Sequence, residues 1–239
     1  MAKVALITGS AVRIGREISH HLAIQGWNLA LHYNSSSSEV TDFATLLQKN
    51  FPDQHFYIFK ADLGDISQSS LLINRVIDQF GTLDLLINNA SVFEASTLKK
   101  TTNDLFKQQT VVNYMTPFVL IRDFANKSNT GQVINMVDTR ISNNKYDFFA
   151  YSLSKKVLTE LTKMAALELA PKFRINAIAP GAAIAPVGKD NAYLEKIALN
   201  TPMKVPSGIN PILKTIDYII DNQDLTGQII YCDGGSHLE

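Results

Sequence analysis

Tyr151 and Lys155 stand four residues apart at the start of a segment with helical periodicity. Residues four apart lie on one face of a helix, so the phenol and the ammonium group should point in the same direction. A nearby cation favours the ionised form of a tyrosine, whose ordinary pKa is about 10, and would ease proton transfer near neutral pH. The pair predicts an acid–base site, although the same spacing is also common between unrelated helix residues.

Two glycines mark a candidate phosphate-binding turn directly after the first apolar run. Gly9 would permit a tight turn, and Gly15 would let the following helix pack close to a sheet. Backbone N–H groups at the start of such a helix bind a pyrophosphate, because they carry partial positive charge. One glycine of the usual dinucleotide fingerprint is absent, so an ordinary tight turn is the alternative interpretation.

The end of the second predicted strand indicates which dinucleotide binds. Folds that prefer NAD place an acidic residue there to hold the ribose 2′-hydroxyl, whereas this chain has Tyr33, Asn34, Ser35 and Ser36. Hydroxyl groups suit a 2′-phosphate, as does the guanidinium of Arg13, which we expect to reach this region. We therefore predict NADPH as the cofactor. The alternative is that the serines form a solvated loop and cap the next helix.

These candidate residues need a framework, and short apolar runs alternate with longer segments of helical period along the chain. The runs predict strands at 3–8, 28–33, 55–60, 83–88, 132–137, 174–178 and 228–231. Helices are predicted at 13–25, 39–49, 71–80, 103–125, 151–170 and 211–221, and 182–206 is left as a loop. This alternation implies an α/β fold, a Rossmann-type doubly wound parallel sheet of about seven strands with helices on both faces. Ligands bind beyond the carboxyl ends of such strands, where most of the candidate residues lie.

Length, charge and cysteine content narrow the function classes. We expect one domain over residues 1–239, with a cofactor half at about 1–130 and a catalytic half at about 131–239. The 22 basic and 22 acidic residues cancel, which gives no attraction to nucleic acid or to an anionic membrane. Cys232 is the only cysteine, and no apolar run reaches the roughly 18–20 residues of a membrane span. We expect a cytoplasmic protein without an internal disulfide.

The histidines show no metal-ligand spacing with one another or with acidic residues. We therefore predict no metal site. Surface or packing roles are expected for the five histidines, which are His20, His21, His32, His55 and His237.

The motifs in this order resemble the short-chain dehydrogenase/reductase family over essentially the full length of the chain. The matching features are the glycine turn at 8–15, Asp62, the run Asn88-Asn89-Ala90, Asn113, the Tyr151 and Lys155 pair, Arg174-Ile175-Asn176 leading to Pro180-Gly181, and Asp233-Gly234-Gly235. Taken together and in sequence, they are a specific signature of that family.

The resemblance implies a role for each matching position. Lys155 would hold the nicotinamide ribose and lower the pKa of Tyr151, and Asn113 would help to carry a proton-relay water. Asp62 would lie near the adenine, and Asn89 near a ribose. The implied cofactor-binding set is Gly9, Arg13, Ile14, Gly15, Tyr33, Asn34, Ser35, Ser36, Asp62, Leu63, Asn89, Ala90, Ser91, Tyr151, Lys155, Pro180 and Gly181. A homotetramer is also expected from the family.

Three departures from the common family pattern indicate a particular branch. Arg13 and Ser91 replace glycines, and Asp138 stands where a serine normally polarises a carbonyl, thirteen residues before the tyrosine. In these respects the chain resembles the pteridine reductases and the bacterial dihydromonapterin reductases. That likeness implies a pterin substrate held between the nicotinamide and an aromatic ring at Phe93. The implied substrate-binding residues are Arg13, Ser91, Phe93, Asp138 and Tyr151.

The chemistry of Asp138 supports this branch. A carbonyl reductase stabilises a developing alkoxide, which a neighbouring carboxylate would repel, whereas reduction of a dihydropterin must protonate a ring nitrogen. The leading hypothesis is an NADPH-dependent dihydropterin reductase with Asp138, Tyr151, Lys155 and Asn113 as its catalytic residues. The alternatives are a reductase of 3-oxoacyl thioesters and an NADPH-binding regulator without turnover. Asp138 could also be a purely structural residue, and Phe93 could belong to the core.

Overall fold

The apolar runs of the sequence form one parallel sheet in a computed structural model of the protein, which describes residues 2–185, 188 and 190–239. The seven strands are β1 (Val4–Ile7), β2 (Asn28–Tyr33), β3 (Phe56–Lys60), β4 (Leu85–Asn88), β5 (Gly131–Met136), β6 (Phe173–Pro180) and β7 (Ile229–Cys232). Most residues of the central strands are buried, because helices cover both faces of the sheet.

The strand order places the switch point of the sheet between β1 and β4. Seven strands pair in the order β3-β2-β1-β4-β5-β6-β7, so the chain runs outward from β1 in one direction and from β4 in the other. In open α/β sheets a crevice forms outside the carboxyl ends of the strands at such a point. The predicted doubly wound sheet is confirmed by this topology.

Helices pack on the two faces in separate groups. Their bounds are α1 (Arg13–Ile24), α2 (Ser37–Asn50), α3 (Ile66–Phe80), α4 (Asn103–Thr110), α5 (Thr116–Lys127), α6 (Phe149–Leu169), α7 (Asn191–Ala198) and α8 (Asn210–Asp221). Apolar side chains of α1, α2 and α8 share one core cluster with the sheet, and those of α3, α5 and α6 share another. In the described part of the chain, no helix is both long and apolar enough to cross a membrane.

Three elements differ from the sequence-based expectation. Helix α3 begins at Ile66 rather than near residue 71, because the carboxylate of Asp65 accepts a hydrogen bond from the backbone N–H of Ser67 and caps the helix. The long helix predicted at 103–125 contains a turn of π-helix at Val111–Met115, between α4 and α5. Helix α7 lies within the predicted loop 182–206, of which residues 186, 187 and 189 lie outside the described residues.

Candidate active site

A cleft of about 850 Å³ opens at the carboxyl edge of the sheet. Its walls bring together most of the residues that the sequence singles out, namely Gly9, Arg13, Ile14, Gly15, Asn89, Ala90, Ser91, Phe93, Asp138, Tyr151, Lys155, Pro180 and Gly181. The other predicted residues lie in two places. Asn113 is buried behind the cleft, and the rest lie at the end of β2 or in the loops after β2 and β3, namely Tyr33, Asn34, Ser35, Ser36, Asp62 and Leu63.

Tyr151 and Asp138 form the central hydrogen bond of the site. Tyr151 lies in the first turn of α6 with 5% of its surface exposed, and its Oη donates to Oδ2 of Asp138 at 2.7 Å. Asp138 follows β5, and its Oδ1 accepts a bond from the backbone N–H of Arg140 at 2.8 Å. Each carboxylate oxygen thus has a fixed partner, which sets the orientation of the group.

Lys155 lies one turn further along α6 and is 2% exposed. Its Nζ donates to the backbone carbonyl of Met136, at the end of β5, at a distance of 2.7 Å. Nζ is 5.8 Å from the centroid of the Tyr151 ring. Burial lowers the pKa of the Lys155 ammonium from 10.5 to about 8, because the charged form is poorly solvated there.

The pKa of Tyr151 corrects one sequence-based prediction. We expected Lys155 to lower it, but in this structure the pKa of Tyr151 lies well above its ordinary value. Burial of the phenol is the largest cause, and the negative charge of Asp138 with its hydrogen bond adds to it. The prediction was wrong because helical spacing does not show how deeply the phenol is buried. At neutral pH the Tyr151 phenol is protonated, and its hydroxyl donates a hydrogen bond to the carboxylate of Asp138.

Asn113 organises the segment that follows β4. Its side chain is fully buried in the π-helical turn, where Oδ1 accepts bonds from the Ser91 hydroxyl at 3.0 Å and the Val92 N–H at 2.8 Å. Its Nδ2 donates to the carbonyl of Val92 at 2.9 Å. Asn113 therefore fixes the Ser91 hydroxyl and the Val92 backbone at the wall of the cleft, and its role with a relay water stays a prediction.

The glycine turn is packed against β4. Gly9 has a φ of 66°, in the left-handed region, and a Cβ on Gly15 would overlap the carbonyl oxygen of Gly9. The side-chain amide of Asn89 donates to the carbonyls of Thr8 at 2.9 Å and Gly9 at 3.3 Å. Helix α1 begins after Val12, which provides no side-chain cap. The first backbone N–H groups of α1 are consequently available to an anion.

Arg13 does not point where the sequence suggested. Its guanidinium donates to the carbonyls of Ala185 at 3.1 Å and Ile184 at 3.3 Å, on the segment after β6. It therefore bridges the cleft between the glycine turn and the segment after β6. The prediction that Arg13 reaches the end of β2 was wrong in this structure, because the direction of a long side chain depends on acceptors that the local sequence does not reveal.

The loops that follow β2 and β3, where the family resemblance implies the adenine, are polar and partly ordered by Asp62. Its Oδ1 accepts bonds from the Gly64 N–H at 2.8 Å and from the Asn34 side chain at 3.3 Å. Ser36 precedes α2 without forming a side-chain cap, so its hydroxyl is not used by the helix. The Leu63 side chain, in contrast, packs in the core, and this leaves its backbone as the part that could contact a cofactor.

An aromatic wall faces Tyr151, and part of it was missed by sequence reasoning. The Phe93 ring is 57% exposed, stacks on Phe148 with centroids 4.2 Å apart, and meets Tyr151 edge-on at 4.6 Å. The Arg140 guanidinium lies 4.4 Å from the centroid of Phe148 and pairs with Asp147 at 2.7 Å. Phe148 could have been noticed from the sequence, since an aromatic residue three positions before Tyr151 reaches the same end of α6.

Within residues 2–185, 188 and 190–239, no group of three His, Cys, Asp or Glu side chains has an arrangement that could hold a metal ion.

Comparisons with known proteins agree with this geometry. The family described as short chain dehydrogenase matches residues 3–192. A solved structure of FolM alternative dihydrofolate reductase 1 from Brucella suis, in complex with NADP, is 31% identical, covers 99% of this chain and 96% of its own, and superposes with a TM-score of 0.90. Pteridine reductase 1 from Leishmania tarentolae is 26% identical over 99% of this chain and 97% of its own length. A 3-oxoacyl-[acyl-carrier-protein] reductase, FabG, from Staphylococcus aureus is also 26% identical, over 100% of this chain and 99% of its own.

Proposed function

The chain belongs to the short-chain dehydrogenase family of oxidoreductases, and we propose that it uses NADPH to reduce a dihydropterin to the tetrahydropterin. The observation that carries the proposal is the hydrogen bond of 2.7 Å between Tyr151 and the carboxylate of Asp138. The resemblance to the pteridine reductase branch is confirmed by the similar chains from Leishmania and Brucella.

The residues of the cleft fit NADPH, and the cofactor prediction is confirmed by the similar Brucella chain solved with NADP. The glycine turn and the uncapped start of α1 suit the pyrophosphate. Oδ2 of Asp62 suits the adenine amino group, and the hydroxyls of Ser35 and Ser36 suit the 2′-phosphate. When bound, NADPH supplies a hydride at the nicotinamide ring.

Charge at Asp138 favours reduction of a C=N bond over a C=O bond. Reduction of a dihydropterin places a hydride on a ring carbon and a proton on the adjacent nitrogen, so positive charge builds up on the substrate as the nitrogen is protonated. A carboxylate nearby stabilises this positive charge. In contrast, a carbonyl oxygen becomes negative during reduction, and the same carboxylate would repel it.

Each of the other residues has a role that follows from its position. Tyr151 is the proton donor to the ring nitrogen, and Asp138 holds the phenol and the amino edge of the pterin. Lys155 keeps a positive charge beside the phenol when the proton leaves. Phe93 offers an exposed aromatic face for the pterin ring. Asn113 acts indirectly, because it fixes Ser91 in the wall of the cleft.

Parallel assays of NADPH oxidation test the proposal. Purified protein is given dihydromonapterin, dihydrobiopterin, dihydrofolate or acetoacetyl-CoA, and the same assays are run on Asp138→Ser, Asp138→Asn and a matched control, Asp224→Asn. Asp224 is an exposed carboxylate near the start of β7, at the opposite edge of the sheet. We expect turnover of a pterin, a drop of roughly 10²–10³-fold in kcat for both Asp138 variants, and no change for the control.

A different substrate pattern would contradict the proposal. Activity on the thioester alone, kept or improved in Asp138→Ser, would assign the protein to the 3-oxoacyl reductases, a reading that the full-length similarity to FabG supports. Binding of NADPH without turnover of any of the four compounds would support a regulator.

A homotetramer is also proposed, following the family resemblance. Leu153, Met164 and Leu167 recur at helical spacing along α6 and are 41%, 70% and 85% exposed, which suits a helix interface. Light scattering during size-exclusion chromatography should give four times the monomer mass of 26.4 kDa. A monomer mass would refute this assembly.

A further inference from the structure

His32 lies in the interior of β2, where nearly every polar atom it carries is engaged. The side chain is 2% exposed. Its Nδ1 accepts a hydrogen bond from the backbone N–H of Gly9 at 3.0 Å, and its Nε2 lies 3.1 Å from the carbonyl oxygen of Ala61. The imidazole thus spans the distance between the glycine turn after β1 and the end of β3.

Only one form of the ring satisfies both contacts. Because the Gly9 N–H is a donor, Nδ1 must be unprotonated, and Nε2 must carry the hydrogen that is donated to Ala61. Burial lowers the pKa of His32 from 6.5 to about 4, which keeps the ring neutral at the pH of a cell. His32 is therefore a fixed bridge between two loops and does not act as a proton carrier there.

The backbone of His32 reinforces the same connection. Its carbonyl oxygen accepts the N–H of Ser10 at 2.9 Å and the Ser10 hydroxyl at 3.0 Å. The amides of Gly9 and Ser10 are consequently both bound to His32. The amides left for a pyrophosphate are those of the first turn of α1, and their placement depends on the turn that His32 holds.

We propose that His32 is a positioning residue for NADPH, which holds the pyrophosphate turn through Gly9 and is itself oriented by its bond to the Ala61 carbonyl. Ala61 directly precedes Asp62, whose carboxylate we assign to the adenine, so the imidazole connects the segments that hold two distant parts of the cofactor. The inference requires NADPH binding only and is independent of which substrate is reduced.

Three substitutions separate the two ring contacts. His32→Asn places an acceptor near the position of Nδ1, so it keeps the bond to Gly9 and loses the bond to Ala61. His32→Gln places a donor near the position of Nε2, so it keeps the bond to Ala61 and loses the bond to Gly9. His32→Leu loses both bonds. His55→Leu is the control, since His55 is an exposed histidine at the other edge of the sheet, just before β3. NADPH affinity is measured by fluorescence titration without any substrate, and global stability is measured by urea denaturation.

We expect the NADPH Kd to rise roughly tenfold to hundredfold in His32→Leu, because the partly buried Gly9 N–H loses its acceptor and the pyrophosphate turn is no longer held. His32→Gln should behave similarly, whereas His32→Asn should stay within about threefold of the wild type, since it keeps the bond to Gly9. In His32→Leu and His32→Gln, the KM for the reducible substrate should change much less than the KM for NADPH. The control should bind NADPH as the wild type does.

Either of two results would overturn the inference. One is wild-type NADPH affinity in a folded His32→Leu. The other is an equal loss of NADPH affinity in His32→Asn and His32→Gln that is proportional to their loss of unfolding free energy. That result would mean that His32 only supports the fold. If His32→Leu does not fold, the comparison of Asn with Gln decides the question. Failure of the pterin assays would leave these outcomes unaffected, because the titration contains no pterin.

Discussion

Removing the ammonium of Lys155 should stabilise the cofactor-free protein while abolishing its activity. The charged group is almost fully buried, and its pKa falls to about 8 from 10.5. Because the folded state binds this proton less tightly than the unfolded state, the ammonium destabilises the fold at every pH below about 8. The penalty decreases as the pH rises from 8 to 10.5, where the unfolded chain also loses the proton.

The size of this effect follows from the two pKa values. Each pKa unit corresponds to about 1.4 kcal/mol, so the charged ammonium destabilises the fold by about 3 kcal/mol at pH 7 and by about 1 kcal/mol at pH 10. Lys155→Met also removes the hydrogen bond to Met136, worth about 1 kcal/mol. The variant should therefore be about 2 kcal/mol more stable than the wild type at pH 7, with almost no advantage at pH 10.

Urea denaturation of both proteins without NADPH, at pH 7, 8.5 and 10, provides the measurement. Taking the difference between variant and wild type removes the contribution of other groups that titrate in this range. The control is Lys156→Met, which removes the neighbouring ammonium, bonded at the surface to Asn144, and is compared with the wild type at the same three pH values. A Lys155→Met protein that is less stable than the wild type at pH 7, or a difference independent of pH, would refute the reasoning.

Three further outcomes are expected. Gly15→Ala should lose measurable NADPH binding in a fluorescence titration, because its Cβ would overlap the Gly9 carbonyl; wild-type affinity would contradict the described turn. Between pH 7.5 and 5 the wild type should lose about 2 kcal/mol of unfolding free energy relative to His32→Asn, since the pKa of His32 is about 4 in the fold and 6.5 outside it; parallel pH curves in urea denaturation would exclude this. Arg13→Met should raise the KM for the pterin more than the KM for NADPH in steady-state kinetics, because its guanidinium holds the segment after β6; a change confined to NADPH would show that it serves the cofactor instead.

Strand positions could be predicted well because burial on both faces leaves a clear signal. The run at 28–33 was predicted as a strand and forms β2 with the same bounds, and α6 differs from its prediction by two residues at its start. The start of a helix is harder to recognise from the sequence when its first turn is rich in serine. The predicted start of α3 is too late because residues 66–70 (ISQSS) have only one apolar member and show no apolar periodicity, although Asp65 caps them.

Features that depend on contacts across the sheet could not be predicted from local patterns. A π-helical turn inserts one residue into a helix without changing its composition, so the placement of Asn113 behind Ser91 was not foreseen. The sequence predicts only a surface or packing role for His32. A polar side chain within a strand buried on both faces does require partners, but the sequence does not reveal that they are Gly9 and Ala61.

Local spacing likewise predicts only part of the arrangement of Tyr151 and Lys155. Helical spacing correctly placed both groups on one face of α6, but it did not show that β5 presents the Met136 carbonyl to one of them and Asp138 to the other. An ammonium has three N–H donors, and the Met136 carbonyl accepts one of them, so two donors are left for the ribose hydroxyls of a bound cofactor. If NADPH binds as proposed, Lys155 would keep its bond to Met136 while it donates to the ribose, and the cofactor would then partly satisfy the buried charge that destabilises the fold on its own.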